Sequence, residues 1–388
     1  MRQTIKQLLN TGSFIFLVLI VFQSCKKPDV TASVKDPLAA LNLPATPLIY
    51  TAQPLPVYLT TPNITRQDNT PADNAVTDWG ATLGRVLFYD KSVSINNSIS
   101  CASCHKQQFG FSDTALLSKG FAGGLTGRHS MSLVNARYYP AKKFFWDERA
   151  ATLEAQVLVP MQDKTEMGMN LDTLVARMKA TSHYRVLVKN AFGDETINSE
   201  RVARALAQFI RSIISYQSKF DAGRAAVPAG QDPVQTPYSN FTAAENQGKQ
   251  LFFGPLTNCA TCHGTETFTA PGDRNNGLDN PSFDKGVGGV TNNEVRVGNF
   301  KVPSLKNIAL TAPYMHDGRF ANLEQVIEHY NSGIQPNPNL APQLRSQDGS
   351  PKRMNLTADQ KASLVAFLKT LTDNSIGSDV KFATPFRP

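Results

Sequence analysis

The sequence lacks several features that define common classes of protein. Five cysteines in 388 residues are too few for a disulfide scaffold. Charged residues make up only 18% of the chain, and no run of lysine or arginine exceeds two residues, so the net charge of +8 forms no basic stretch typical of nucleic-acid binding. No long alternation of apolar and polar residues predicts a sheet. Hydrophobic residues nevertheless reach 41%, enough for packed cores, and the length suggests two domains or slightly more.

The N-terminus has the pattern of an export signal. Arg2 and Lys6 precede the apolar run Phe14–Phe22, which is shorter than the about 20 residues that a membrane-spanning helix needs. A small residue stands directly before Cys25, and this arrangement resembles a bacterial lipoprotein signal, in which the cysteine becomes the lipidated first residue. We therefore expect residues 1–24 to be a lipoprotein signal peptide and the protein to be periplasmic, anchored to a bacterial membrane through Cys25. The alternative is simple cleavage beside an incidental cysteine.

The segment that follows, residues 25–77, is rich in proline, threonine and alanine. Seven prolines lie between positions 37 and 71, and no hydrophobic periodicity is sustained. This composition predicts an extended tether between the membrane and the globular part.

The rest of the chain contains two copies of one unit. Two C-x-x-C-H frames, Cys101–His105 and Cys259–His263, begin 158 residues apart. Two helical patterns, Ala205–Ile213 and Ser363–Leu371, are also separated by 158 residues. This constant offset indicates an internal duplication.

The C-x-x-C-H frame is typical of covalent c-type heme attachment. Two thiols on one helical turn can reach the two vinyl groups, and the adjacent histidine then binds the iron as its proximal ligand. A redox dithiol would not need the histidine twice, and a Cys2His2 zinc site would need a second His pair, which the sequence lacks at finger spacing. Two hemes also bring four propionates, so the net charge of +8 is weak evidence for an anionic partner. We predict two heme-binding triads: Cys101, Cys104 and His105, and Cys259, Cys262 and His263.

Apolar residues recur at helical spacing in both copies. This periodicity predicts helices over 79–90, 149–159, 171–180, 199–221, 243–252, 322–331 and 357–372. The predicted fold is therefore all-α, with two tandem cytochrome c-like domains that each bind one covalent heme. We assign the N-terminal domain to residues 78–238 and the C-terminal domain to residues 239–388.

A tryptophan, a glutamine and a glutamate follow the first heme motif at intervals of ten residues. Trp146 lies in Phe-Trp-Asp-Glu-Arg-Ala, Gln156 follows ten residues later, and Glu166 ten residues after that. With four other motifs, this spacing resembles the bacterial diheme cytochrome c peroxidases and the related MauG-type enzymes over roughly residues 78–375. Those other motifs are Ser100–His105, Leu133–Ala136, Val302–Leu305 and Leu310–Gly318.

The resemblance implies that peroxide is reduced at the first heme, whose iron needs an open coordination site. It implies that Glu166 is the catalytic base, which removes a proton from one peroxide oxygen and returns it to the leaving oxygen. Gln156 would orient peroxide by hydrogen bonding, and Trp146 would relay electrons between the hemes. Taken alone, each of these residues would be an ordinary surface or core side chain.

The resemblance also implies a calcium ion between the domains. Asn135, Thr311 and Pro313 match the family positions that supply an Asn side chain and backbone carbonyls. Oxygen ligands of this kind suit a hard cation. Without the resemblance, these three would be interpreted as turn residues.

Two positions depart from the pattern of the peroxidases. Gly127 stands where many of them have a histidine that closes the first heme, and His129 is displaced from that position by two residues. We therefore expect the first heme to be open in the oxidised state. Tyr330 stands where the peroxidases place a methionine ligand of the second heme; MauG-type enzymes have tyrosine there, and phenolate favours ferric iron. Rival ligands for this heme are Met315, Met354 and His329.

These features predict a diheme peroxidase that reduces hydrogen peroxide to water. Electrons would come from a small periplasmic cytochrome c or cupredoxin and would enter through the second heme. Tyr330 keeps a second hypothesis open, a MauG-like oxidase that acts on a partner protein. Gln156 and Glu166 disfavour a third, a non-enzymatic diheme electron carrier. A homodimer stays open, and no nucleic-acid partner is expected.

Overall fold

Helices and the loops between them make up nearly all of the described chain, residues 36–264 and 266–387 of a computed structural model. The predicted signal peptide and Cys25 lie outside these residues. Within them, the single strand pair joins β1 (Asp273–Arg274) to β2 (Phe300–Lys301), antiparallel and in the register Asp273 to Lys301. None of the helices in the described part is both long enough and apolar enough to cross a membrane. The mainly helical fold predicted from the sequence is confirmed.

The described residues form fourteen α-helices and several shorter helical turns. The α-helices are α1 (Pro62–Thr65), α2 (Asp78–Tyr89), α3 (Cys101–Cys104), α4 (Leu153–Gln162), α5 (Leu171–Ala180), α6 (Ser182–Phe192), α7 (Ser199–Ser212), α8 (Lys219–Ala225), α9 (Ala243–Phe253), α10 (Ala260–His263), α11 (Gly286–Thr291), α12 (Leu323–Glu328), α13 (Ala358–Lys369) and α14 (Ser375–Ser378). A π-helix follows α12 at His329–Gly333. The 3-10 turns are Val57–Leu59, Lys91–Val93, Gln107–Phe109, Ala136–Tyr138, Glu294–Arg296, Ile308–Leu310 and Pro342–Leu344.

The predicted helix over 199–221 is broken into two. Helix α7 ends at Ser212, and extended residues follow before α8 begins at Lys219. Ser218 caps α8 and exchanges hydrogen bonds with Asp221, a capping box that starts a new helix where periodicity alone suggests continuation. Helix α6 was not predicted, because its apolar positions are interrupted by polar and basic residues.

Each half contains an equivalent pair of packed helices, so the duplication seen in the sequence is also present in the structure. Helix α2 packs on α7, and α9 packs on α13. A Cβ at Gly84 would lie 2.0 Å from the carbonyl oxygen of Ala205, and a Cβ at Gly248 would lie 1.9 Å from that of Ser363. Only glycine allows two helix backbones to approach this closely, so both copies use it at the crossing point.

A cluster of three phenylalanines forms the centre of the core in each half. One member comes from the first helix of the pair, one from the turn after the heme motif and one from the second helix. In the first cluster the ring centroids lie 5.2 and 5.8 Å apart, and in the second 5.1 and 5.8 Å. Burying one such side chain stabilises the fold by about 1.5–3 kcal/mol. The clusters are Phe88, Phe111 and Phe209, and Phe252, Phe268 and Phe367.

The segment before the helical halves packs on them from residue 37 onward. Leu41 and Tyr50 are buried in the core of the N-terminal half, and the Tyr50 hydroxyl donates to the carbonyl of Lys381 at 2.8 Å. Further along, the Tyr58 hydroxyl donates to Asp221 Oδ1 at 2.6 Å. This packing differs from the extended tether predicted for residues 25–77. Apolar side chains placed singly between prolines have no period, yet each can fill a pocket on an existing surface.

Candidate heme centres and active site

The first heme motif opens onto a cavity in the N-terminal half. Helix α3 begins at Cys101, and Ser100 caps it in a reciprocal box with Ser103, so that both thiols lie on one short turn. Cys101, Cys104 and His105 line this first cavity together with the two predicted catalytic residues, Gln156 and Glu166. Most of its other walls are apolar: Phe88, Ile99, Leu133, Val157, Met167, Leu206 and Ile210.

His105 is oriented as an iron ligand would need to be. Its Nδ1 lies 2.9 Å from the carbonyl oxygen of Phe111, which can only accept, so Nδ1 carries the proton and Nε2 is left for iron. Burial lowers the pKa of the imidazole, which favours the neutral form that binds metal. The two thiols and this histidine therefore fit a c-type heme.

Gln156 and Glu166 reach the cavity from one helix and the loop after it. Helix α4 begins after Thr152, whose hydroxyl accepts from the backbone N–H of Ala155 at 3.1 Å. Gln156, Val157 and Pro160 lie on one face of α4 and line the first cavity. The predicted partners are therefore brought together on the wall that the heme would face.

The loop that carries Glu166 is held tightly in place. Asp163 Oδ1 accepts from the backbone N–H groups of Thr165 and Glu166 at 2.7 and 3.0 Å, and the Glu166 carbonyl accepts from the N–H of Phe121 at 2.8 Å. A Cβ at Gly120 would lie only 1.7 Å from the Thr165 carbonyl oxygen, so glycine is required there. Such anchoring fixes the position of a catalytic side chain on an otherwise irregular segment.

The environment of Glu166 suits a group that exchanges protons. Burial raises the pKa of its carboxyl, the nearby Asp163 carboxylate raises it further, and Arg149 opposes the shift. A carboxyl whose pKa lies above its ordinary range is a better proton carrier near neutral pH.

The second heme motif opens onto a larger cavity in the C-terminal half. Cys259, Cys262 and His263 line this second cavity. His263 Nδ1 lies 3.1 Å from the carbonyl of Phe268, which repeats the orientation found in the first half. Burial lowers the pKa of His263 to about 4, so the imidazole is neutral and fits an iron ligand.

Three of the predicted candidates for the second axial ligand point into the second cavity. Tyr330, Met315 and Met354 all line it. Tyr330 lies in the π-helix, a rare form that often occurs at functional sites. Asn276 Nδ2 lies 3.4 Å from the Tyr330 hydroxyl and 3.5 Å from the Met315 sulfur. The fourth candidate, His329, lies outside the lining and places its Nε2 3.1 Å from the Asn276 carbonyl.

One stretch of chain, residues 129–135, separates the two cavities. Ser130 and Leu133 line the first cavity, whereas His129 and Met131 line the second. The His129 ring is engaged at both nitrogens, with Nε2 3.2 Å from Ser112 Oγ and Nδ1 3.1 Å from the Ala115 carbonyl. This histidine, displaced in sequence, is thus directed away from the first cavity.

Trp146 joins this dividing stretch to the C-terminal half. Its Nε1 donates to the His129 carbonyl at 2.8 Å, and its own carbonyl accepts from the N–H of Lys301 at 2.8 Å. Its ring meets His316 edge-on, with centroids 6.5 Å apart, and lines the second cavity. The predicted relay residue therefore lines the second cavity and contacts the stretch that separates it from the first.

The three residues predicted to bind calcium border the second cavity. Asn135, Thr311 and Pro313 all line it. Asn135 Oδ1 accepts from the N–H of Ser215 at 2.9 Å, and its counterpart Asn307 accepts from Asp373 in the same way at 2.5 Å. The hydrogen bond of Asn135 is thus a property that both copies share.

Sequence reasoning missed three residues near the second cavity. Asn276 lies in a loop rich in glycine and asparagine, where no pattern marks it. Tyr139 and Glu148 form a buried pair near Trp146. Comparison of the two copies could have found Glu148, because the equivalent position in the second copy is Gly318.

Two similar halves, each directing a thiol pair and a histidine to its own cavity, define a diheme c-type cytochrome. Residues 79–226 match the family described as Di-haem cytochrome c peroxidase, and residues 246–372 match the family described as Cytochrome c. The methylamine utilization protein MauG of Methylorubrum extorquens is 35% identical over 304 residues, which cover 78% of this chain and 80% of that protein. The chain belongs to the diheme cytochrome c peroxidase and MauG family, and the resemblance seen in its motifs is confirmed.

Further relatives carry both kinds of name. The cytochrome c551 peroxidase of Nitrosomonas europaea is 30% identical over 312 residues, 79% of this chain and 83% of that protein. A crystal structure of a MauG-like protein associated with microbial copper homeostasis is 31% identical, with a TM-score of 0.75 over 87% of this chain and 99% of the other. The family's relatives thus divide between peroxidases and MauG proteins.

Proposed function

We propose that the protein reduces hydrogen peroxide to water at the first heme. The observation that carries this proposal is the placement of Gln156 and Glu166 on the cavity that His105 and its two thiols share. An electron carrier has no need of a partly buried acid–base group beside its heme. Together with the relatives named as peroxidases, this arrangement favours catalysis over simple electron transfer.

The side chains of the first cavity would each act at a stated atom. When bound, the heme supplies the iron that holds peroxide and passes two electrons to it. The Glu166 carboxylate accepts the proton of the inner peroxide oxygen and delivers it to the outer, leaving oxygen. The Gln156 amide donates a hydrogen bond that fixes peroxide in this orientation, and the apolar walls limit access of bulk water.

The second heme would receive electrons from a small periplasmic cytochrome c or cupredoxin. We propose Tyr330 as its axial ligand, because it lies in the π-helix and its ring lines the cavity. Burial raises the pKa of Tyr330 to about 12 and the hydrogen bond from Asn276 opposes that shift, so the positive charge of a bound iron would have to stabilise the phenolate. Met315 and Met354 are the alternatives. Trp146 would carry electrons between the two centres.

Three further assignments follow from the sequence. A calcium ion would bind at Asn135, Thr311 and Pro313. Treatment with a chelator should then lower peroxide turnover, and added calcium should restore it. Export to the periplasm and lipid attachment at Cys25 complete the proposal.

Tyr330 also supports a second candidate function, a MauG-like oxidase that removes electrons from residues of a partner protein. The similarity to relatives named MauG also supports this alternative. The discriminating quantity is the rate at which reduced cytochrome c supports peroxide reduction. A peroxidase turns over rapidly with this donor, whereas a protein-oxidising enzyme responds to peroxide but turns over slowly.

The test combines spectra with turnover on the purified diheme protein. Optical and EPR spectra are recorded on the oxidised protein, after one-electron reduction and after addition of peroxide, followed by steady-state assays with reduced cytochrome c. We expect high-spin ferric iron from an open first heme and sustained turnover. Only low-spin iron would contradict the open site, and absence of turnover would contradict the peroxidase.

A further inference from the structure

A glutamate occupies a backbone conformation that the second copy reserves for glycine. Glu148 has φ +55°, in the left-handed region, and the equivalent Gly318 has φ +72°. The equivalence follows from matching bridges on each side, Phe144 to Ala150 in one copy and Tyr314 to Phe320 in the other. Because a side chain is unfavourable in this conformation, its presence at Glu148 calls for a compensating contact.

That contact is a buried hydrogen bond to a tyrosine. The hydroxyl of Tyr139 donates to Glu148 Oε1, and both residues are buried. Burial and the adjacent carboxylate raise the pKa of Tyr139, so its hydroxyl stays protonated in the resting protein. Glu148 Oε2 also lies 3.9 Å from Arg296 Nη2, while Arg296 itself is paired with Asp273.

A buried lysine completes the cluster. Lys301 Nζ lies 4.1 Å from the centre of the Tyr139 ring and 3.5 Å from the Met131 sulfur. Burial lowers the pKa of Lys301 to about 8, and the charge of Glu148 opposes that shift. The negative charge of Glu148 therefore favours the charged form of Lys301, and the Tyr139 ring lies close to both groups.

The cluster lies beside the cavity of the second heme motif. The backbone N–H of Lys301 donates to the carbonyl of Trp146. Tyr139, Trp146 and Lys301 all line the cavity that contains His263. Tyr139 therefore lines the same cavity as Trp146, the residue proposed to relay electrons.

We propose that Tyr139 is a proton-coupled electron donor to the heme pair, with Glu148 as its proton acceptor. The inference rests on the proposed function, because hydrogen peroxide is the oxidant that first withdraws two electrons from the hemes. Tyr139 then returns one electron to the heme pair, and its hydroxyl proton moves along the existing hydrogen bond to Glu148 Oε1. The products are a neutral tyrosyl radical and a protonated Glu148, so charge and protons balance. When the external donor re-reduces the radical, the proton returns.

The geometry meets the main physical requirement for such a step. A tyrosine that loses an electron becomes strongly acidic, so oxidation is easiest where a base is already within hydrogen-bond reach. A second tyrosine–carboxylate pair, Tyr184 with Asp90, has the same hydrogen bond but lies outside the lining of both cavities. It provides a matched control for position.

The experiment is freeze-quench EPR of the diheme protein mixed with one equivalent of hydrogen peroxide without an external donor. We expect a tyrosyl signal that Tyr139→Phe removes and Tyr184→Phe leaves in place. Glu148→Gln keeps the shape and an acceptor oxygen but removes the carboxylate that takes up the proton, so the radical yield should fall at least about tenfold, because a hydrogen bond to a neutral amide is weaker than one to a charged group. Optical spectra of the hemes are recorded on the same samples.

Four results would overturn the inference. A tyrosyl signal that survives in Tyr139→Phe would place the radical elsewhere. Heme spectra that respond to peroxide without any tyrosyl signal would leave the proposed function intact and remove only the role of Tyr139. Heme spectra that do not respond to peroxide would overturn both. If Tyr139→Phe fails to fold, the near-isosteric Glu148→Gln decides: an unchanged yield contradicts the proposal.

Discussion

The two halves of the molecule have the same frame on one side of the heme and different chemistry on the other. Each half crosses two helices at a glycine, builds a phenylalanine cluster and orients its proximal histidine through a backbone carbonyl. The distal elements also begin alike, with Thr152 capping α4 and Asn322 capping α12. Eight residues after each cap, the chain places Pro160 on the first cavity and Tyr330 on the second.

This difference between Pro160 and Tyr330 contributes to the two proposed roles. Proline has no side-chain atom that can bind iron, so the first heme would stay open to peroxide, whereas a tyrosine at the equivalent position could close the second heme. The chain after α4 then supplies Glu166, while the chain after α12 turns into a π-helix. A duplicated scaffold can thus become specialised through the residues of one distal segment.

The largest expected effect removes the chemistry that only the first half has. Glu166→Gln should lower kcat for peroxide reduction by about 10²–10⁴-fold, because the amide cannot accept and return the proton. Steady-state assays with reduced cytochrome c measure this, and optical spectra check that both hemes are retained.

Glu195→Gln is the matched control for Glu166, since Glu195 is an exposed carboxylate in the same half. It should leave kcat unchanged. If Glu166→Gln kept full activity with both hemes bound, the assignment of the base would be refuted.

The second-largest expected effect comes from a substitution that leaves the second heme, like the first, without a side-chain ligand from this segment. Tyr330→Phe removes the proposed phenolate ligand, so the second heme should change its spectrum and its reduction potential should rise by on the order of 100 mV. Tyr314→Phe is the control, because Tyr314 lines the same cavity but its hydroxyl donates to the Ile308 carbonyl. An unaltered second-heme spectrum in Tyr330→Phe would exclude Tyr330 as the ligand and favour Met315 or Met354.

A third prediction tests what the halves share. Gly84→Ala and Gly248→Ala should each destabilise the fold by about 1–3 kcal/mol, because the new Cβ collides with a backbone carbonyl at the helix crossing. Gly127→Ala, whose new methyl group would meet no atom within 4 Å, should be close to neutral. Denaturant unfolding of the three variants measures the difference. A large cost in only one half would show that the crossings are not equivalent.

Sequence reasoning predicted the parts of this comparison that depend on local pattern. The heme motifs, the 158-residue offset and the intervals from Trp146 to Gln156 and Glu166 are all visible in the printed chain. They led to the mainly helical fold and the family, both confirmed. The residues of each predicted heme triad all line one cavity.

The features that were not predicted from the sequence depend on long-range packing, which leaves no local pattern in the chain. Tyr50 and Tyr58 dock against residues far away in the chain, so the segment around them looked like a tether. Asn276 lies 54 positions from Tyr330, and Tyr139 meets Glu148 only because a loop bends back through a left-handed residue. Such contacts follow from the whole fold rather than from spacing.

The smallest expected effect concerns the charge next to the catalytic base. Glu166 must be deprotonated to accept a proton, so kcat/KM should rise with pH through a pKa that burial and Asp163 hold above the ordinary range of glutamate. Asp163→Asn keeps the oxygen that accepts from Thr165 and Glu166 but removes the negative charge. The pKa of Glu166 should then fall, and the rising limb of the pH profile should move to lower pH while the maximal rate changes little. A limb that stays in place would mean that burial alone sets the pKa of Glu166, and a collapse of the maximal rate would mean that the Asp163 turn, rather than its charge, positions the base.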